Sequence, residues 1–480
     1  MTRRHLTILQ CNDTHGYLEA HPEVMWDGAE VRTEIMGGYA RIQAVFREAR
    51  AEHPGAVLAF DNGDTLHGTF AAVHSRGRDL IPLLNALEFD AMTAHWDFAY
   101  GPDRLRQLAS ELHYPVLAAN ATHKQSGAPA FPAFRVLERG GLRIGVIGIA
   151  AVVDKMMPPE HGKGLAFSFG EKELPVLIDQ LRQQERVDLV VVLSHLGFPQ
   201  DIKLASAVDG IDVLLSGHTH NRLHEPVRVN GAILIQSGCH GSFVGRLDLE
   251  VEAGRVMGCR HRLIALDQAV QPDREMQAQV EAVLAPHREM LQAVVGTTDR
   301  LLHRATCLSA PMDDFLLAAV ARAPETGVAF SNGWRYGAPV PPGKVTMNDL
   351  WNIVPVNPAI TTLEMTGEEI WTMMEENLES VFSPDPFKQM GGYVKRCFGV
   401  SLGVKIENPA GRRIQDCFVE GRLLDRSRRY RVAAITAQSV PAKFGTGRTD
   451  LSTDAVGAMR HYLRGSSTPA IGSERTVVAV

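Results

Sequence analysis

The sequence predicts two α/β domains joined by a helix, and three observations carry that reading. At 480 residues the chain is too long for a single hydrophobic core. Through about residue 265, short apolar runs alternate with helical stretches, as in a layered α/β unit. Over residues 266–295 glycine vanishes while Glu, Gln, Ala, Leu and Met dominate, the composition of a linking helix. Residues 296–480 then form the second α/β domain.

Taken in order, Leu6–Gln10 alternates like a short buried strand and breaks into Asn-Asp-Thr-His-Gly. Further strands are expected at Ala56–Asp61, Ala91–Thr93, Val116–Ala119, Arg143–Ile149, Asp188–Ser194, Val213–Ser216, Ile233–Ser237, Val244–Val251 and Cys259–Leu266. Helices are expected between them at Gly38–His53, Asp79–Leu87, Pro102–Leu112 and Glu173–Glu185. The linking helix runs from Gln268 to about Val295. Beyond it, helices are expected at Pro311–Ala323 and Gly367–Leu378, and Ser383–Pro386 and Gly391–Gly392 mark surface connections.

The composition, 45% hydrophobic and 22% charged, is that of a globular enzyme-like chain. A formal charge of −6 gives no reason to expect a nucleic-acid polymer or an anionic membrane as partner. No apolar run is long enough to span a bilayer. A strand follows Arg3 and Arg4 at once, with no apolar leader, so a cytoplasmic location is expected, or a periplasmic one if a leader was removed. The six cysteines show no CxxC spacing and read as free thiols.

Nineteen histidines are many for this length, and several sit in glycine-flanked loops. Asp13 and His15 follow the first strand; residues i and i+2 of an extended segment share a face, so both can converge on one cation. Asp64 in FDNGDTLHG, His95 in AMTAHWDFAYG, His195 in VVVLSHLGF, and His218 and His220 in LLSGHTHNR each follow a predicted strand. Strand C-terminal ends share one sheet edge, where a binding crevice forms. Two aspartates and five histidines gathered there unpaired would cost several kcal/mol each, which divalent metals would relieve. Carboxylate with imidazole suits Mn, Fe, Co or Zn better than Mg or Ca.

DTHG, NGD, SHLG and GHTH, in this order, resemble the calcineurin-like metallophosphoesterase domain. SNGWRYG, VTMNDLWNIVP and LEMTGEEI resemble the second domain of the 5′-nucleotidase superfamily. The resemblance implies a four-layer αββα metallophosphoesterase domain over 1–265, a linking helix over 266–295 and a 5′-nucleotidase-type C-terminal substrate domain over 296–480. It implies two divalent ions, manganese above all, bridged by Asp64. One site is completed by Asp13, His15 and His220, the other by His195, His218 and the residue at the family's Asn position. A bridging hydroxide on such ions would attack a phosphoester in line.

One stretch departs from the pattern. The superfamily reads Gly-Asn-His-Glu-Phe-Asp-Tyr-Gly where this chain has Thr93–Gly101. Anchored on Phe98 and Tyr100-Gly101, the comparison puts His95 at the ligand Asn, Trp96 at the catalytic His, Asp97 at Glu and Ala99 at the pairing Asp. A one-residue gap would instead return His95 to the catalytic position. Indole cannot deliver a proton to a leaving group. Asp64, His95 and Asp97 are therefore the expected catalytic set. HWDFAYG also resembles the HWEF-type motif of SoxB thiosulfohydrolases, as do SRGRDLIPLLNALEFDAMTAHW, KLASAVDGIDVLLSGHTH and NLESVFSPDPFKQMGG.

In the second domain the resemblance implies substrate contacts from Asn332 and Arg335, an Arg fork suiting phosphate, sulfonate or carboxylate alike. Phe398 is expected either as a base-clamping ring or as core packing. The nucleotidase Ala-Gly-Gly-Asp-Gly segment is replaced by AQSVPAKFGTGRTD. The first reading is thus a dinuclear-metal hydrolase of nucleotides or other small phosphorylated substrates. The second is a SoxB-like thiosulfohydrolase that releases sulfate from a carrier protein's thiosulfonate. A third is an inactive metal- or ligand-binding homologue.

Overall fold

The computed structural model describes residues 3–28, 30–354, 356–464 and 476–480; Pro355, at the end of VTMNDLWNIVP, lies outside them. Contacts divide the chain into two compact units, Met1–His21 with Ile35–Pro286, and Pro22–Glu34 with His287–Val480.

The first unit is built on two sheets. The strand Arg4–Cys11 lies parallel to Val57–Asp61 and antiparallel to Phe243–Glu252 within a five-stranded sheet. In the six-stranded sheet, Leu189–Ser194 runs parallel to Leu142–Ile149 on one side and Val213–Ser216 on the other. Leu6, Ile8, Leu58, Phe60 and Leu247 from one sheet share a core with Val146, Val191, Leu193, Leu215 and Ile235 from the other. The helix Tyr39–Glu52 covers the outer face of the first sheet; Glu173–Gln183 and Phe198–Ala207 cover the second. That order is the expected αββα layering.

Two elements differ from the sequence reading. Val116–Ala119 is not a strand but carries a single bridge, Met92 to Val116. Its Leu117 N–H reaches Met92 O in one sheet, and its Ala119 N–H reaches Gly148 O in the other, so neither ladder continues. A Cβ at Gly148 would stand 2.3 Å from Leu117 O, so only glycine allows this crossing. The expected linking helix is also broken. Arg274–Leu284 is capped by Asp273, a 3₁₀ turn spans Ala285–His287, and Arg288–Gln292 follows. Pro286 removes a backbone donor and crowds the preceding turn, which stops the first helix. Val294–Thr298 then pairs as a strand with Gly343–Thr346.

The second unit centres on a five-stranded sheet ordered Arg396–Phe398, Val328–Ser331, Arg429–Ala434, Ala359–Thr366 and Thr446–Asp454. Alternation along the strands splits its two cores. Ala329 and Ala433 face the helix Pro311–Arg322, whereas Val328, Phe330, Val432 and Ala434 face Gly367–Phe382. Thr366 and Glu369 form a reciprocal capping box that starts the latter helix. All six cysteines are free, and no described helix is long and apolar enough to cross a membrane.

Candidate metal centre

The seven ligand residues proposed from sequence gather at the C-terminal ends of the two sheets of the first unit. One oxygen or ring nitrogen each from Asp64, His95, His195 and His218 fall within 4.8 Å of one another. A second such group is Asp13, His15, Asp64 and His220, so Asp64 belongs to both. Asp13, Asp64, His95, His195 and His218 are buried.

The convergence does not arise as the sequence reading assumed. Asp13 and His15 are not extended; both adopt left-handed backbone, at φ 53° and 50°. Asp64, His218 and His220 do the same, at φ 56°, 72° and 58°. Five non-glycine residues in this sparsely populated region place strain where the side chains must aim inward. Backbone bonds hold the first two loops together: Asp13 N–H donates to Gly63 O and His15 N–H to Asp64 O. Gly68, at φ +115°, admits the His15 backbone so closely that a Cβ would lie 2.5 Å from its carbonyl oxygen.

Distances within the cluster are short. His195 Nε2 lies 3.3 Å from Asp64 Oδ2 and 3.6 Å from Asp13 Oδ1. His220 Nε2 lies 3.2 Å from Asp13 Oδ1 and 3.2 Å from His15 Nε2. His95 Nδ1 is 3.1 Å from Asp64 Oδ1. His195 Nδ1 donates to Asn62 O at 2.5 Å, which fixes the tautomer and turns Nε2 toward the carboxylates. The Nε2 atoms of His95 and His195 are buried with no hydrogen-bond partner among the described residues. Buried imidazole nitrogens without a hydrogen-bond partner, in a cluster that shares the Asp64 carboxylate, are what a pair of divalent cations would satisfy, so the residues fit a dinuclear metal site.

Electrostatics agree. Burial alone would raise the Asp64 carboxyl, but the imidazoles of His95 and His195 outweigh it and hold it well below the usual range. Burial pulls His195 down, yet Asp64 and Asp13 lift it to about 10.

Asp97 is held by the backbone. Its Oδ1 accepts from the Thr65 and Leu66 N–H groups, and its Oδ2 from those of Asp64 and His95, all within 2.9–3.1 Å. With four backbone donors and no exposure, it holds two ligand loops in place and has no capacity left for substrate. Asp61 and Asn62 likewise brace the edge. Asp61 accepts from Gly63 N–H and the Thr65 hydroxyl; Asn62 donates to Ser194 O and Leu215 O of the opposite sheet.

Trp96 occupies the position beside His95, and its N–H donates to Asp64 Oδ1 at 2.6 Å. Its indole stacks on His67, with ring centroids 4.9 Å apart. His67 and His240 were not singled out from sequence. The His67 ring lies 5.1 Å from His15, and that of His240 lies 6.1 Å from His220. Each is followed by glycine in a loop, the pattern that could have flagged them.

In the second unit, Asn332 is tied inward. Its amide donates to Gln438 Oε1 at 2.6 Å and accepts from the Thr436 hydroxyl at 2.6 Å. The Arg335 guanidinium lies 5.9 Å from the Tyr393 ring. Phe398 is half-buried on an edge strand and packs against the core beneath Pro311–Arg322.

Comparison with known proteins accords with this geometry. Residues 6–222 match the calcineurin-like phosphoesterase family, and residues 294–437 match the 5′-nucleotidase C-terminal domain. The trifunctional nucleotide phosphoesterase YfkN of Bacillus subtilis is 23% identical over 86% of this chain and 30% of its own length. A probable 5′-nucleotidase of Treponema pallidum is 34% identical over 45% of this chain and 36% of its own. The chain thus spans about a third of the length of these curated relatives. Among solved structures, the sulfate thiohydrolase SoxB of Thermus thermophilus superposes with a TM-score of 0.92 at 25% identity, covering 99% of this chain and 96% of that one. A 5′-nucleotidase precursor, also from Thermus thermophilus, superposes at 0.86 and 22% identity, covering 99% of both chains. Residues 6–222 thus form a calcineurin-like phosphoesterase domain, and residues 294–437 a 5′-nucleotidase C-terminal domain.

Proposed function

We propose that this chain is a dinuclear-metal-dependent hydrolase of phosphoesters, acting on nucleotides or other small phosphates. The observation that supports this most is the pair of donor groups sharing Asp64. In this reading Asp13, His15, Asp64 and His220 hold one ion, and Asp64, His95, His195 and His218 the other, with manganese the expected metal. Two such ions, when bound, lower the pKa of water and offset charge that builds on the ester oxygens.

The protein's own residues do the rest. Asp64 contributes to both ion sites, so its anchoring by the Trp96 and His15 backbone sets the spacing between them. Asp97 fixes the Asp64 and His95 loops as a pair. His95 stands in for the family's amide ligand. Trp96 walls the site with an aromatic face and moves no proton. Arg335 is the proposed substrate contact of the second unit; the Asn332 amide is bonded to Gln438 and Thr436 instead.

A chromogenic phosphomonoester, a diester and a nucleotide panel, assayed with added Mn²⁺, test the reading. Turnover that Asp64→Ala abolishes is the expected result. A manganese-loaded protein inert on every phosphoester would sink it.

A second reading has its own support. His95-Trp96 departs from the nucleotidase pattern toward the SoxB-type motif, and the superposition on the SoxB structure is close. Under it the same ions would serve sulfate release from a carrier protein's cysteine thiosulfonate. Activity confined to a peptide carrying a cysteine S-thiosulfonate would move the assignment there.

A further inference from the structure

Away from the strand ends that carry the metal centre, the first unit has a second set of metal-type donors. His5 is the second residue of the Arg4–Cys11 strand, His53 caps the C-terminus of the helix Tyr39–Glu52, and Asp248 lies on Phe243–Glu252. One ring nitrogen of each histidine and one oxygen of Asp248 lie within 4.8 Å of one another. The two imidazoles face each other at 4.1 Å between centroids. All three residues are half-buried, and they line a cavity of about 600 Å³.

The strand register explains the meeting. Thr7 stands opposite Asp248, and His5, two residues earlier on the same face, reaches back toward that carboxylate. His5 Nε2 contacts the Thr7 hydroxyl at 3.0 Å, and that hydroxyl donates to Asp248 Oδ1 at 2.7 Å. Arg246 further orients the carboxylate, with Nε 3.0 Å from Asp248 Oδ2, while its Nη1 reaches Glu52 at 2.6 Å. The His53 ring, in contrast, makes no hydrogen bond among the described residues. Two imidazoles and an oriented carboxylate, from three elements and open to solvent through a cavity, form a ready donor set.

We propose that His5, His53 and Asp248 form a third, peripheral metal site for a borderline transition ion such as Zn²⁺ or Cu²⁺. Two nitrogens and one oxygen disfavour Mg²⁺ and Ca²⁺. The arginines that line the cavity balance its acids, so attraction comes from imidazole coordination rather than net charge. Solvent fills the remaining coordination positions, and the site orders the start of the first strand against the end of the helix.

Chelator-stripped full-length protein titrated with Zn²⁺ tests this, with a chromophoric competitor counting bound ions. The wild type should take three ions per chain, and His53→Ala and His5→Gln two, with far-ultraviolet circular dichroism unchanged. In an Asp64→Ala background, which disables the shared ligand of the main centre, Cu²⁺ should still give an electron paramagnetic resonance spectrum with two-nitrogen hyperfine structure. That signal should vanish when His53→Ala is added. Equal zinc stoichiometry in wild type and both histidine variants would overturn the proposal, as would a cupric spectrum indifferent to His53→Ala. Neither outcome bears on phosphoester turnover, so the two readings fail separately.

Discussion

Lys395 shows how much a single buried charge can reveal. Its side chain is 5% exposed, and its ammonium donates to Gln438 O at 2.7 Å. Desolvation drops it from 10.5 to about 7. Between those values the unfolded chain binds a proton that the folded chain has shed. The stabilising balance is therefore complete above the unfolded value and is lost as pH falls through about 7, a penalty of a few kcal/mol. Denaturant melts of the chelated protein should show stability rising from pH 7 toward alkaline values, and Lys395→Met should flatten that slope. An unchanged slope would mean that the ammonium finds solvent. Asp97 belongs to the same scale. Removing acceptors from its four backbone donors leaves buried N–H groups unpaired at about 1–3 kcal/mol each. Asp97→Ala should thus lower manganese stoichiometry and turnover together, read by elemental analysis and a phosphoester assay. A fall in turnover with full metal content would instead make Asp97 a catalytic group.

Loops and caps carry the argument at the scale of elements. The Gly63–Gly68 segment packs against the Asp13–His15 loop, and Gly68 sits at φ +115° with the His15 carbonyl where a side chain would go. Gly68→Ala should therefore displace His15 and weaken metal affinity, measured by calorimetric Mn²⁺ titration, while the surrounding sheets stay folded. Ordinary affinity would show that the loop relaxes at no cost. In the second unit, Thr366 accepts from Glu369 N–H and starts the helix that covers one face of the sheet. Thr366→Ala should cost about 1 kcal/mol, seen as a lower melting temperature with turnover intact.

For the molecule as a whole, ligand binding and folding are linked. The first unit buries a cluster of carboxylates and imidazoles that mutual pairing only partly offsets, so ions that bind the folded state alone must stabilise it. At a hundredfold excess over its dissociation constant, one bound ion adds about 2.7 kcal/mol. Melting temperature should climb with Mn²⁺ concentration in the wild type and stay flat in Asp64→Ala. A chelator should reverse the gain.

How much of this was legible beforehand follows from what each feature depends on. Alternation, helical spacing and glycine-flanked Asp and His residues are local, so the sequence alone determined the layered α/β class and singled out the seven Asp and His side chains that the fold gathers into two clusters. Local pattern could not show that Asp13 and His15 converge through left-handed turns, because that conformation is imposed by backbone bonds from Gly63 and Asp64, some 50 residues away. Nor could it show Val116–Ala119 crossing between sheets, which depends on the absent side chain of Gly148. The four backbone N–H groups that converge on Asp97 come from two separate loops, which local pattern does not reveal. His5, His53 and Asp248 lie more than 200 residues apart at their extremes and have no motif; strand register brings His5 to Asp248, and the end of the helix Tyr39–Glu52 brings His53 to both. Composition and periodicity record which surfaces must be buried. Which groups then face one another is decided by long-range pairing, and that exists only once the chain has folded.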